Sequence, residues 1–484
     1  MTSPTPTSRA AHDGYDRDAL AHEEIGYHKD LRPRQLQMIA IGGAIGTGLF
    51  MGAGSRLHDA GPGLFLVYAV CGVFVLFIMR ALGELVVHRP ATGSFVSYAR
   101  EFFGEGSAFV FGWLYWFNWG MTAIVDVTAI ALYLHYWGAF DVVPQWVLAL
   151  AALLVTLVVN LVSVRVFGEL EFWASIVKVL ALMVFLVVGV VLLATRADLG
   201  GTTPGLGLVA DHGGLFPEGA WALVICVSGV IFAYASVELV GNAAGETPDP
   251  ERQVPRAINT VMVRIAFFYV GSVGLLALLL PYVRYREGES PFVTVFAQLG
   301  VDGVDSVMNF VVLTAALSSL NAGLYSTGRI LRSLAVNGSA PAFTGRMSRT
   351  GVPYGGIALT AAVTVVGVLL NLVVPEQAFT IALDLSALGI ISTWVAILLC
   401  HVQLVRWARR GILERPAFRA PWAPWTSYAT LLFLGAVTVM MCVEQIWNLI
   451  ALVALVPMLW LGWRVARPHV LAAAAARERT HEPV

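Results

Sequence analysis

Apolar stretches that approach or exceed the roughly 18–20 residues needed to cross a bilayer recur at least ten times along this chain of 484 residues. Short polar connections separate them. The hydropathy pattern predicts twelve helical spans, with ends good to a few residues. They run over about 36–56, 62–86, 107–136, 146–164, 172–194 and 220–244, then about 259–281, 304–334, 355–374, 379–403, 424–444 and 447–466. Charged residues make up 13% of the chain, against about 25% in soluble domains, so little room is left for a separate soluble domain.

The basic residues test this count through the excess of Lys and Arg on cytoplasmic segments. With a cytoplasmic N-terminus, 24 of the 30 basic residues fall inside and four outside (Arg56, Arg196, Arg284 and Arg286), with Arg80 and Lys178 within spans. A wrong count would scramble that alternation. Both termini are therefore expected in the cytoplasm: a polar tail over 1–35, without an apolar core or cleavage site, and a second tail over 467–484.

The net charge of −1 offers no basic stripe for nucleic acid. Cys71, Cys226, Cys400 and Cys442 all fall in apolar spans without paired spacing, which argues against a disulfide framework or metal site. The spans carry no His/Cys cluster or nucleophile motif, so neither an enzyme nor a cofactor is expected. A channel would need a polar stripe repeated along a span, and none shows one.

The first span holds four glycines in seven residues, Gly42-Gly43-Ala44-Ile45-Gly46-Thr47-Gly48. Each Gly costs a helix interior roughly 1 kcal/mol relative to Ala, so the helix should unwind here. Broken helices mark substrate sites in transporters. If the first five and next five spans form inverted repeats, over 36–194 and 220–403, the sixth span is the partner of the first and should break too. Its middle, Gly229 to Asn242, has flanking glycines and the carboxylate of Glu238. Residues 404–466 then add spans eleven and twelve to a core over 36–403.

Several stretches resemble the bacterial amino acid permeases of the amino acid–polyamine–organocation superfamily. They are Gly42 to Gly48, Arg80-Ala81-Leu82-Gly83-Glu84-Leu85, Arg89 to Phe95, Gly245 to Pro250 and Val254 to Asn259. The resemblance covers roughly residues 26–466 and implies an all-α membrane protein with the five-plus-five inverted repeat, a leucine-transporter-like fold. Within the family, Gly26-Tyr27-His28-Lys29, Ile124 to Ala129, Leu132 to Phe140 and Val311 to Asn321 are similar to L-asparagine permeases. The D-serine/D-alanine/glycine transporters look similar in several of the same places.

An amino acid carboxylate suits the backbone N–H groups of a helix restarting in the first span, which nominates Ile41, Ala44, Ile45, Gly46, Thr47 and Gly48. The resemblance implies amine contacts around Phe232, Ala233, Ala235 and Ser236, with Phe232 as an aromatic gate. Glu238 is an intramembrane carboxylate, functional by default, although it also suits a protonated structural tie.

Lys178 lies six residues into the predicted fifth span. One reading has it snorkel to the interface. The other, which the resemblance implies, packs it against the first and eighth spans where sodium-coupled relatives hold an ion, and there it would gain and lose a proton. Asn118 and Asp126 in the third span lie about 80° apart on one broad face. Ser318, Ser319 and Asn321 in the eighth and Asp384 and Ser386 in the tenth offer polar contacts or interhelical ties.

The expectation is a secondary active importer of L-asparagine, by proton symport with alternating access, in a bacterial cytoplasmic membrane. Its partners are the amino acid, protons and the bilayer. A D-serine/D-alanine/glycine permease is the rival, and a non-transporting amino acid sensor the alternative from another class. The loop at 245–258 and the pair Arg80 and Glu84 read as inner-gate salt bridges or as solvated charges.

Overall fold

The computed structural model of the chain describes residue 38 and residues 45–90, 94–239, 241, 249–375 and 377–480. Every regular element among these residues is helical, and ten helices are long and apolar enough to cross a membrane. The first elements are short: α1 (Thr47–Phe50) and α2 (Gly52–Ala60), joined through Met51. Helix α3 (Leu64–His88) follows the turn at Gly61 and Pro62 and stops at Arg89, whose extended backbone the following Pro90 favours. Next come α4 (Ser94–Phe103), α5 (Glu105–His135) and α6 (Gln145–Val162).

Helix α7 (Val164–Thr195) begins one residue after α6 ends. Ser163 accounts for this: its backbone is extended, and its Oγ accepts from the Val166 amide at 3.2 Å, a capping bond that starts a new helix. The helix of the fifth span therefore begins at 164, eight residues before the hydropathy places it. The outer stripe Leu180, Val184, Val187 and Val191 is exposed, at helical spacing suited to lipid.

Two small helices, α8 (Leu206–Asp211) and α9 (Gly219–Ile225), precede α10 (Val227–Ala233). Helix α11 (Pro250–Arg264) passes through a π-helical turn at Ile265–Gly271 into α12 (Ser272–Leu279). The short α13 (Pro291–Ala297) leads to α14 (Val304–Val336), α15 (Tyr354–Val373) and α16 (Ala378–Arg409). Last come α17 (Trp425–Glu444) and α18 (Ile446–Thr480), separated at Gln445. The final helix runs well past 466, where hydropathy alone ends it, because Ala472 to Ala476 are strong helix formers.

The core is built on α5, which packs most extensively on α16 and α14. These three helices are buried over most of their apolar windows, whereas α18 is buried over only 6%. Small residues permit the close crossings: a Cβ on Gly389 of α16 would stand 2.6 Å from the Asn118 Cβ of α5. The centre of the bundle thus holds the polar residues of α5, α14 and α16.

Candidate substrate and proton site

Apart from residue 38, the described part of the first span begins at Ile45. Gly46 is extended (φ −131°, ψ −162°) and its carbonyl accepts from the Leu49 and Phe50 amides, both at 3.2 Å. Thr47 and Gly48 are thus the first residues of α1, and Ile45, Thr47 and Gly48 are buried. Ile41 and Ala44, also nominated from the sequence, lie outside the described residues.

Gly48 lies against the end of α10. A Cβ there would stand 2.6 Å from the Ala233 Cα and 2.9 Å from the Phe232 ring, so the approach requires glycine. Beyond Ala233 the chain enters successive turns, with the Ala235 amide donating to the Phe232 carbonyl (3.0 Å) and the Leu239 amide to that of Ser236 (3.1 Å). Ser236 has φ 72°, a left-handed conformation uncommon for a residue other than glycine. Tyr234 anchors the turns: its ring stacks on Tyr269 at 4.6 Å, and its hydroxyl donates to the Tyr68 carbonyl at 2.8 Å.

Asp126 is fully buried and accepts from Thr47 Oγ1 at 2.9 Å. Ser319 is a second hydroxyl beside it. Asn118 faces another neighbour, accepting at Oδ1 from Ser386 Oγ at 3.0 Å, while Ser386 and Thr122 share a hydrogen bond of 2.7 Å. The two residues of α5 thus serve different helices, and the 80° between them separates two polar nodes.

Lys178 is 1% exposed. It lies fourteen residues into α7, and its ammonium is directed to a buried partner rather than out to an interface. Its Nζ donates to Ser318 Oγ at 2.9 Å, and Ser318 donates to Glu171 at 2.7 and 2.8 Å. Glu171 is itself 1% exposed, 3.7 Å from the ammonium. Sequence reasoning missed Glu171 because it fell just outside the predicted span. The usable signals were the Ser163 cap and the seven-residue spacing to Lys178, which puts both on one helix face.

Glu238 is buried, and neither of its oxygens has a hydrogen-bond partner among the described residues; nor does Nε1 of the neighbouring Trp394. Asn321 is engaged as a tie, its Oδ1 accepting from Asn160 Nδ2 at 2.6 Å.

At the far end of α3, Glu84 is fully buried and accepts from Arg415 Nη2 (3.0 Å) and the Ala420 amide (2.6 Å). His401 Nε2 lies 3.0 Å from it and His401 Nδ1 2.8 Å from Ser427 Oγ. Arg80 instead donates to Asn259 and to the Arg419 carbonyl. Glu84 is therefore the hub of a buried network, not a solvated charge, whereas Asp249 and Arg252 form an exposed pair at 3.9 Å.

A family model described as amino acid permease matches residues 35–463. The chain belongs to the amino acid permease family. It is a multi-pass membrane protein and a transporter rather than an enzyme. This permease is 62% identical over 460 residues to L-asparagine permease 1 of Mycobacterium tuberculosis, covering 94% of each chain. It is 60% identical over 425 residues to L-asparagine permease of Streptomyces coelicolor, covering 88% of this chain and 86% of the relative. Against L-asparagine permease of Escherichia coli the identity is 55% over 460 residues, covering 93% and 92%.

Proposed function

We propose that this permease imports L-asparagine into a bacterial cell by proton symport, with alternating access around the first and sixth spans. The observation that carries the mechanism is the junction of Gly48 with Phe232 and Ala233, with the neighbouring Thr47 bonded to the buried Asp126. Two helix ends meet there with irregular backbone, which membrane proteins tolerate only where it is buried or lines a cavity. The choice of asparagine rests on relatives at 55–62% identity that bear that name.

In this reading the chain has twelve spans, both termini in the cytoplasm and two inverted five-helix repeats over 36–194 and 220–403. The substrate carboxylate meets the amides at 46–48, where the helix dipole favours an anion. The ammonium meets carbonyls at 232–236, under the Phe232 ring. Asn118 and Asp126 serve the side-chain end, while Lys178 and Glu238 carry protons. Lys178 has the better supported role, because its ammonium already bridges α7 and α14 through Ser318.

The test is uptake of labelled L-asparagine by purified permease in proteoliposomes under an inside-alkaline pH gradient. Gradient-driven accumulation, blocked by unlabelled L-asparagine, is expected. Block by D-alanine but not by unlabelled asparagine would overturn the substrate, and indifference to the gradient would overturn symport.

A further inference from the structure

Lys178, Ser318 and Glu171 form one hydrogen-bonded line with a fixed polarity. An ammonium only donates and a carboxylate only accepts. The Ser318 hydroxyl therefore accepts from Lys178 at 2.9 Å and donates to Glu171 at 2.7 and 2.8 Å. The direct separation of the two charges is 3.7 Å, beyond hydrogen-bond distance, so the hydrogen-bonded route between them runs through the hydroxyl.

The line also has a direction. Glu171 precedes Lys178 by seven residues in α7, about 10 Å along the axis towards the Val164 end, which the proposed topology puts on the cytoplasmic side. Ser175 lies between them on the same face, fully buried and with its hydroxyl unpartnered among the described residues. One turn beyond Glu171, the Phe167 ring stacks on Tyr325 at 3.9 Å, and the Arg329 guanidinium lies 3.6 Å over Tyr325. The carboxylate thus stands between the ammonium and an aromatic pair at the cytoplasmic end.

We propose that Glu171 is the proton-exit residue of this permease, taking the proton of Lys178 through Ser318 and releasing it to the cytoplasm. The proposal rests on the symport reading. In the step, an N–H bond of Lys178 breaks as its proton passes to Ser318 Oγ, and the original Ser318 proton forms an O–H bond with Glu171. Lys178 becomes a neutral amine, Glu171 a neutral acid, and Ser318 is restored. The transfer itself leaves the net charge of the pair unchanged at zero. Release of the proton from Glu171 then leaves the carboxylate beside a neutral Lys178 until Lys178 takes up the next proton. Among the described residues, the other ionisable group acting on Lys178 is Asp126 of α5, which Thr47 already engages.

The experiment uses the full chain in proteoliposomes and two readouts: accumulation of labelled L-asparagine driven by a pH gradient, and asparagine–asparagine exchange without one. Exchange can proceed with the proton retained, so it does not need the exit residue. Wild-type protein that ignores the gradient defeats the symport reading itself, independently of Glu171. Given a wild-type response, Glu171→Gln is expected to lose at least about tenfold more in accumulation than in exchange, since an amide accepts from Ser318 but takes no proton. Glu171→Asp, which keeps a carboxylate, should recover part of the accumulation. Wild-type accumulation by Glu171→Gln overturns the proposal, as does equal loss of exchange and accumulation in folded Glu171→Asp. If the Gln variant does not fold, Ser318→Ala, which removes the bridging hydroxyl, decides: accumulation slowed more than exchange supports the relay, and wild-type accumulation overturns it.

Discussion

Thr47 and Asp126 meet across 79 residues of sequence: the threonine hydroxyl donates to the buried carboxylate at 2.9 Å. This one bond ties the restart of the first span to the central helix α5. Ser319 is the second hydroxyl at this carboxylate, and Asp126 Oδ2 has no hydrogen-bond partner among the described residues, so losing the Thr47 hydroxyl leaves a buried acceptor short of a donor. Thr47→Val should therefore cost about 1–3 kcal/mol, the penalty for leaving a buried polar group unsatisfied. Thermal unfolding in detergent should show the loss, and Thr47→Ser should restore most of it.

Gly48 and Gly46 should respond differently to the same added methyl. A Cβ on Gly48 collides with the Ala233 backbone at 2.6 Å, whereas one on Gly46 meets Ser319 at 3.8 Å, ordinary contact. Overpacking against backbone costs about 1–3 kcal/mol. Gly48→Ala should lower the unfolding temperature and abolish uptake, while Gly46→Ala should leave the unfolding temperature unchanged. Equal unfolding temperatures for the two variants would contradict the close approach of α1 and α10.

Removing one member of the Lys178–Glu171 pair should be worse than removing both. Each is 1% exposed, and breaking a buried pair costs about 3–5 kcal/mol, whereas replacing both by apolar residues is often neutral. Lys178→Met and Glu171→Leu should each destabilise strongly, and the double variant should be more stable than either. A thermal-stability double-mutant cycle reads the coupling directly.

Glu84 holds the segment after α16 against α3 through Arg415 and the Ala420 amide. Glu84→Gln keeps the shape but removes the charge that Arg415 faces. The expected result is a protein that still inserts, with trypsin cutting faster after Arg419, the Arg415–Pro416 bond being resistant. Unchanged cutting would mean that other contacts hold the segment.

The apolar spans were legible because membrane crossing is decided by composition within a window of about 20 residues. Their ends were less so. Ser163 shows why: α7 begins there through a single side-chain cap, and a hydropathy average blurs one residue. That blur took Glu171 out of the predicted helix. The π turn at Ile265–Gly271 likewise has no hydropathy signature.

For the candidate site, the sequence could nominate polar residues inside spans, since each stands out against an apolar background that penalises it. It could not say which of them pair. Asn118 and Asp126 share a helix, yet one meets Ser386 and the other Thr47. Ser318 looked like a contact for substrate, and in the fold its hydroxyl lies between Lys178 and Glu171.

The sequence by itself determined an all-helical membrane protein of the amino acid permease family, and which residues carry polar chemistry inside its spans. Those properties are local, set by windows and short motifs. Only the tertiary structure decided that Glu171 and Ser318, 147 residues apart, hold the Lys178 ammonium between two helices. The physical reason is that a buried charge is stabilised by whatever group lies within hydrogen-bond reach, and packing sets that neighbour, not chain order.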